Sequence, residues 1–253
     1  MSMLTQQRHE QILKLLNEKG SVTVAELTEL LDSSESTIRR DLLALDKLGK
    51  LNKVHGGATM TNQQFILTEP NLEDKLGQNL DAKQRIAKYA AAQVLAGDFV
   101  YLDAGSSTLL MIPYLEAPGA TFVTNGLQHA RELVRKGYKT YLLAGELKQT
   151  TEAICGLPAA QNLQTYNFSK AFIGTNGINL KRGFSTPDPD EAFVKTAAID
   201  RSFVSYVLAD SSKFEKVSTV TFGSLAGSVI ITEKEPEGRY DEFTVVKVVP
   251  EDF

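Results

Sequence analysis

Two sets of residues in this 253-residue chain have the types and spacing to bind anions. The first lies in "SSESTIRRDLLALDKLGKL", residues 33 to 51, where Ser36, Thr37, Arg39 and Arg40 stand close together. Hydroxyls bond phosphates or base edges, and a guanidinium grips guanine or phosphate through two parallel hydrogen bonds. The whole chain carries a net charge of −4, so adjacent arginines are a local feature and not part of a general basic coat. Lys47, Lys50, Lys53 and His55 follow closely and are available to a DNA backbone. The second set lies in five short loops, "DAGSST", "TNG", "AGE", "GTNG" and "ADSSK", each opening after an apolar run. Glycines let backbone N–H groups approach a phosphate, and hydroxyls add donors. In "DAGSST" the candidates are Ser106, Ser107 and Thr108; Lys213 in "ADSSK" supplies a cation, and Asp103 and Asn125 suit sugar hydroxyls. Each loop alone is an ordinary strand-to-helix turn. Several at one sheet edge suggest a site.

These residues need elements to hold them. Ile12, Leu13, Leu15 and Leu16 mark one face of a first helix that stops at Gly20. "TVAE", Thr23 to Glu26, has capping-box spacing and starts a second helix with Ala25, Leu27, Leu30 and Leu31. "DSS", Asp32 to Ser34, breaks it and offers caps for a third. There Ile38, Leu42 and Leu45 form one buried stripe, while Ser36, Arg40 and Lys47 point away and Thr37 and Arg39 flank it. Three short helices with a tight break before the last describe a helix-turn-helix, whose third helix enters the major groove. "LGKLNKVHGGA" then reads as a β-hairpin wing after Gly49. Residues 1–58 carry eight acidic and eight basic side chains, the basic ones gathered late.

"TMTNQQFILTEP" is polar with one short apolar cluster, so residues 59–74 read as a linker and 75–253 as a second domain. A helix is expected over "NLEDKLGQNLDAKQRIAKYAAAQVLAG", with Asp81 as N-cap and Gly97 past its end. From there strands and helices alternate through "DFVYLDAG", "TFVTN", "YKTYLLAG", "KAFIGTNG" and "VSYVLADSSK". That alternation predicts an α/β domain with a mostly parallel sheet and helices on both faces. In such sheets ligands bind outside the carboxyl ends of strands, where the five loops fall.

Composition bounds the rest. The chain is 42% hydrophobic and 23% charged, ordinary for a globular protein with room for two domains. Its single cysteine, Cys155, excludes an intrachain disulfide and reads as a small buried side chain. His129 reads as a surface residue of a helix, and "EKEPEGRYDEF" as a charged surface turn. The polar N-terminus lacks a signal-peptide pattern, and no apolar run approaches the ~20 residues that span a bilayer, so a cytoplasmic protein is expected. Metal-ligand spacing, a Gly-Lys-Ser/Thr phosphate loop and a dinucleotide glycine fingerprint are all missing, so no metal and no cofactor are expected.

The run "RHEQILKLL…VTVAELTELLDSSESTIRRDLLALDKLGKLNKVHGGA" closely resembles the winged helix-turn-helix of DeoR-family bacterial transcription regulators. "STIRRDL" and "VHGGA" are its specific pieces, and the likeness covers nearly all of residues 4–58. It implies that Ser36, Thr37, Arg39 and Arg40 lie on the recognition helix. Lys53 stands where the family often has arginine. Residues 75 to 250 resemble the family's sensor domain, similar in fold to ribose-5-phosphate isomerase. By that resemblance the ligand loops map onto Asp103, Gly105, Ser106, Ser107 and Thr108, then Thr124 and Asn125, then Gly145, Gly174 and Gly177, then Lys213. The block "GFSTPDPDEAFVKTAA", Gly183 to Ala198, looks most like the fructose-operon repressors and implies fructose 1-phosphate as effector. Glu191 and Lys195 within it either reach the ligand or are ordinary charges on the first turns of a helix; the sequence leaves both open.

The resemblance implies a transcriptional repressor and not an enzyme. It would act as a homo-oligomer, dimer or tetramer, on double-stranded operator DNA. The rival reading is a sugar-phosphate isomerase with an appended DNA-binding domain. Isomerisation through an enediol needs a carboxylate base, which those isomerases carry in an Asp-Gly-Ala-Asp-Glu loop. The corresponding stretch here is "IGTNGI", Ile173 to Ile178, with Ile, Asn and Gly in place of the acids. The operator, the oligomer, and whether effector releases or strengthens DNA binding are not written in the sequence.

Overall fold

Helix α1 (Thr5–Lys19) keeps its apolar residues in helical phase until Gly20, whose φ of 77° turns the chain out of the helix. The computed structural model describes residues 4–60, 65–68, 70–251 and 253. Strand β1 (Ser21–Thr23) leads into α2 (Val24–Leu30) through a complete capping box. The Thr23 hydroxyl accepts from the Glu26 amide at 3.1 Å, and the Glu26 carboxylate accepts from the Thr23 amide at 3.4 Å. Ser34 caps α3 (Glu35–Lys47) by accepting from the Thr37 amide at 3.3 Å. The stripe Ile38, Leu42 and Leu45 is buried with Ile12, Leu16 and Leu27. Each such side chain contributes about 1.5–3 kcal/mol on leaving water.

Strands β2 (Asn52–Val54) and β3 (Gly57–Thr59) form the wing, and β1 joins them in the order β1-β3-β2. The wing is therefore three-stranded, not a bare hairpin. Gly57 makes this possible: a Cβ there would lie 2.1 Å from the Val22 carbonyl oxygen.

The chain divides into two compact units, Met1–Phe65 and Ile66–Phe253. The short strand β4 (Phe65–Ile66) straddles that division. Of the expected linker, residues 61–64 and 69 lie outside the described residues, as do 1–3 and 252 of the two expected domains; Thr59 closes β3, and Leu72 opens α4 (Leu72–Gly77).

Helix α5 (Leu80–Ala91) starts after Asn79, which adopts a left-handed conformation with φ 52°. Asp81 is thus inside the first turn and is not the N-cap; its carboxylate faces the positive end of the helix dipole. Then come β5 (Phe99–Leu102), α6 (Ser106–Leu109), β6 (Thr121–Thr124), α7 (Leu127–Arg135) and β7 (Lys139–Leu142). A hairpin, β8 (Glu146–Lys148) and β9 (Ala153–Cys155), precedes α8 (Leu157–Leu163). The rest is β10 (Phe168–Gly174), β11 (Gly177–Asn179), β12 (Gly183–Thr186), α9 (Pro189–Asp200), β13 (Ser202–Leu208), β14 (Val217–Ser218), β15 (Val220–Gly223), β16 (Ser228–Thr232) and β17 (Val245–Val248).

Seven of these strands make one sheet in the order β17-β16-β13-β10-β5-β6-β7, with every pair parallel. Side chains alternate between faces along each strand. Tyr101, Ala171, Ile173, Val207 and Ile230 pack on the side of α8 and α9. Val100, Leu102, Phe172, Leu208 and Ile231 pack on the side of α5. A small antiparallel sheet, β11-β12-β15, packs with α9. Burial on both faces explains the continuous apolar strands in the sequence. The expected surface turn near the C-terminus contains Tyr240, which is fully buried and donates to Glu215 Oε1 at 2.6 Å. Among the described residues, no helix is long and apolar enough to cross a membrane.

Candidate anion cleft and recognition helix

The strand order reverses between β5 and β10: one run continues through β6 and β7, the other through β13 and β16. At such a switch point the loops diverge and leave a crevice at the carboxyl ends. A cleft opens there, lined by Lys75, Lys83, Gly105, Ser106, Ser107, Gly174, Thr175, Asn176, Glu191, Lys195, Asp210 and Lys213. Its enclosed volume is only ≈ 50 Å³, room for about one water. Lys75 and Lys213 at its rim are half-buried. A larger open groove of ≈ 740 Å³ lies where β6 and β7 begin, at the opposite edge, and none of the five loops lines it.

The cleft has a cationic end. Lys83 is 3% exposed, and its ammonium donates to the Lys75 carbonyl. Burial, together with the charges of Lys213 and Lys75, lowers its pKa to about 8, against the pull of Asp210. Asp210 is also buried. Its Oδ1 accepts from Asn79 Nδ2 at 3.0 Å, the Ser212 amide at 3.0 Å and the Ser212 hydroxyl, while its Oδ2 is buried without a hydrogen bond. Neither Lys75, Lys83 nor Asp210 was among the residues the sequence suggested. Helix α6 opens at Ser106 with its first amides free of intrahelical carbonyls. The helix is only four residues long, so the lysines, not its dipole, dominate the field here.

The other wall is neutralised by pairing. Asp103 Oδ2 accepts from Lys195 Nζ at 2.5 Å and from the Gly174 amide at 3.0 Å, and Lys195 also donates to the Gly174 carbonyl at 3.1 Å. Glu191 Oε1 accepts from Lys148 at 2.8 Å and Thr151 at 3.1 Å, and Lys148 also reaches Asp188 at 2.7 Å. So Glu191 and Lys195 are buried cleft-wall residues, each already partnered, and not solvated charges of a helix surface.

Several expected contacts are turned elsewhere. The Thr108 hydroxyl is fully buried, donates to the Asp103 carbonyl at 2.5 Å and accepts from the Gly105 amide at 3.0 Å, so it shapes the loop and does not face the cleft. Asn125 accepts from the Tyr101 hydroxyl and the Ala104 amide, both at 2.9 Å, and donates to the Ile154 carbonyl at 3.1 Å. Its oxygen is used up, which removes it as a partner for sugar hydroxyls. Thr124 is buried and accepts from the Gly126 amide. Gly145 packs on Ile154 and Gly177 on the Lys216 carbonyl, outside the cleft lining.

His129 is a correction. It is 1% exposed, with Nε2 at 3.0 Å from the Gly105 carbonyl and 3.1 Å from the Thr108 hydroxyl. Burial lowers its pKa to about 4, despite the Asp103 charge and the Gly105 carbonyl. A neutral imidazole thus braces the loop from behind. Cys155 is buried as expected, and burial beside Glu191 pushes its thiol up to about 12, which removes it as a nucleophile. Among the described residues, no cluster of His, Cys, Asp and Glu suits a metal ion.

In the first unit, Ser36, Arg39, Arg40, Lys47, Lys50, Lys53 and His55 are exposed, and Thr37 is half-buried. Thr37 and Ser36 hydroxyls lie 2.9 and 3.0 Å from Ser34 Oγ. Arg39 pairs with Glu35 at 3.1 Å. The Lys53 amide donates to Asp46 Oδ1 at 2.8 Å, which ties the wing to α3 and leaves the ammonium outward.

Residues 8–64 match the DeoR-like helix-turn-helix domain, and residues 78–234 match the DeoR C terminal sensor domain. The chain is 43% identical over 251 residues to the "Uncharacterized HTH-type transcriptional regulator FruR" of Bacillus subtilis (strain 168), covering 98% of this chain and 99% of that protein. It is 32% identical over 248 residues to the lactose phosphotransferase system repressor of Staphylococcus aureus (strain NCTC 8325 / PS 47), covering 96% and 98%. Among solved structures, ribose 5-phosphate isomerase A from Methanocaldococcus jannaschii aligns over 54% of this chain and 55% of its own, at 17% identity and a TM-score of 0.41.

Proposed function

The chain belongs to the DeoR family of transcription regulators, and we propose that it is a DNA-binding repressor of a sugar-utilisation operon, controlled by a phosphorylated sugar. Fructose 1-phosphate is the effector that the block Gly183–Ala198 favours. The observation that carries the reading is the gathering of Lys75, Lys83 and Lys213 around Ser106 and Ser107, with Asp210 the carboxylate among them. A buried ammonium, Lys83, whose proton affinity is lowered by burial and by the neighbouring Lys213 and Lys75 charges calls for an anion. A phosphomonoester brings a charge of about −2 and three strong acceptor oxygens. The lysines and the Ser106 and Ser107 amides and hydroxyls hold the phosphate in this reading. The bare Asp210 oxygen and Asn176 meet the sugar hydroxyls, while the Thr175 hydroxyl donates to the Gly177 and Ser185 carbonyls and shapes the loop. The pairs Asp103–Lys195 and Glu191–Lys148 brace the wall. Asp103 and Glu191 are each held by an ammonium group, and Asp210 meets a sugar hydroxyl in this reading, so the cleft is read as binding a sugar without turning it over.

On the DNA side, Ser36, Thr37, Arg39 and Arg40 read the major groove, and Lys47, Lys50, Lys53 and His55 hold the backbone. A homo-oligomer would place two such units on paired half-sites. Lys53→Ala is expected to weaken operator and unrelated DNA alike and to flatten the salt dependence by roughly one phosphate contact. Gel shifts across a salt series measure this; a changed base preference would instead make Lys53 a base reader.

Calorimetry with fructose 1-phosphate, fructose 6-phosphate and fructose tests the effector. Only the phosphates are expected to bind. Equal binding of unphosphorylated fructose would remove the phosphate site, and tighter fructose 6-phosphate would keep the site and refute the choice of sugar. Thermal unfolding gives an independent readout, since a ligand at 100 times its Kd stabilises by about 2.7 kcal/mol.

A further inference from the structure

The recognition helix buries a carboxylate at its midpoint, and base reading makes no use of it. Asp41 is 5% exposed and lies in the same buried arc as Ile38, Leu42 and Leu45. Arg8 of α1, itself 7% exposed, reaches it with two nitrogens: Nε to Oδ2 at 2.5 Å and a terminal nitrogen to Oδ1 at 3.2 Å. His9 Nε2 stands 3.1 Å from the same Oδ1. Stability alone does not call for this arrangement. Replacing a buried ion pair by apolar side chains of similar volume is often neutral or stabilising, because two desolvated charges are costly.

We infer that Arg8 and Asp41 are positioning residues for operator recognition, a two-pronged clamp that sets the rotation of α3 about its own axis. The inference rests on the proposed reading of α3 as the groove helix. Apolar contacts between α1 and α3 are non-directional, so they hold the helices together without fixing rotation sharply. A fork on a carboxylate fixes both distance and plane. Asp41 is the neighbour of Arg40, so its azimuth dictates where Arg40 points. With side-chain tips roughly 6 Å from the helix axis, a rotation of about 20° moves them about 2 Å. A preorganised polar contact tolerates only about 0.5 Å. The clamp also withdraws Arg8, a basic residue of this module, from DNA contact.

The test uses the full chain and compares operator with an unrelated duplex of the same length. In the double variant Arg8→Met/Asp41→Leu, thermal unfolding is expected at or above the wild-type temperature, and binding to the unrelated duplex is expected to be little changed. Operator affinity is expected to fall about tenfold or more, as loss of one good bidentate base contact would do. Loss of specificity without loss of stability is an outcome that a packing role cannot give. An unchanged ratio of operator to unrelated binding overturns the inference. If the double variant does not fold, Arg8→Lys decides by the same ratio, because it keeps the charge and loses the fork. Arg40→Ala is measured alongside. If it leaves operator binding intact, the groove reading itself fails; if it weakens binding while the clamp variants keep their ratio, only the clamp fails.

Discussion

Replacing Arg40 by alanine is expected to abolish operator binding while leaving effector affinity unchanged. Arg40 lies on the exposed face of α3, opposite the stripe Ile38, Leu42 and Leu45, and makes no ion pair among the described residues. A free guanidinium there loses little when it turns to a guanine edge or a phosphate. A bidentate base contact is worth about 1–3 kcal/mol of discrimination, and a two-fold oligomer would lose it once per half-site. The combined loss of about 2–6 kcal/mol is thirtyfold to more than ten-thousandfold in affinity. Arg39 should show a smaller effect, because it already pairs with Glu35 at 3.1 Å, an exposed pair that both competes with and orients it. A gel shift with the wild-type midpoint for Arg40→Ala would sink the assignment of α3 to the groove, and calorimetry on the same protein checks that the second unit is intact.

What the sequence made legible follows from periodicity. The three helices, their caps at Thr23 and Ser34, and five of the seven parallel strands rest on local patterns that packing reinforces; β16 and β17 were not read. The antiparallel sheet β11-β12-β15 was missed because strands of three or four residues carry too little alternation to be read. Strand β1 was missed as a wing member because its pairing with β3 is non-local. The loops of the cleft were found from composition, but composition did not separate groups that face a ligand from groups that brace the loop. Thr108 and Asn125 have suitable chemistry and spend it internally.

A single signal would have found most of the residues that were overlooked. Lys83 stands in phase with the buried Ile86, Ala87, Ala90 and Ala91 of α5. His129 precedes the buried Leu133 by one helical turn. Arg8 is in phase with Ile12 and Leu16, and Asp41 with Ile38 and Leu45. Glu191 and Lys195, which the sequence named and left open, share a face with Ala198 and carry the same mark. A titratable residue placed on the apolar stripe of a helix must find a partner or shift its pKa. Lys75 has no such mark: α4 is too short to display a stripe, and only its packing reveals it.

Lys83 carries the last expectation, and it combines substitution with pH. Its ammonium is buried between Lys75 and Lys213, with its pKa lowered to about 8. A bound phosphate dianion would replace its lost hydration and raise that value. Effector binding above pH 8 is therefore expected to take up a proton, and affinity is expected to fall as pH rises through about 8. The phosphate itself is not the cause, because its second pKa near 6 leaves it dianionic throughout that window. The sign for stability is separate. The unfolded chain binds more protons at this lysine between its lowered and ordinary values, so the ligand-free protein gains stability as pH rises from about 8 toward 10. Lys83→Met removes a buried charge, and the ligand-free variant is expected to be at least as stable as wild type at pH 7. It is expected to bind the phosphorylated sugar at least a hundredfold more weakly, a loss of about 2.7 kcal/mol, and to lose the alkaline limb of the affinity profile. Lys213→Ala should also weaken the ligand but keep that limb, moved to higher pH, since Lys83 still titrates without the Lys213 charge that lowers it. Either variant is expected to hold the operator without responding to effector, if the effector normally causes release. Calorimetry at pH 7 and 9 in two buffers of different ionisation enthalpy measures affinity and proton uptake together. Equal affinity at both pH values in the wild type, without proton uptake, would remove Lys83 from the phosphate site.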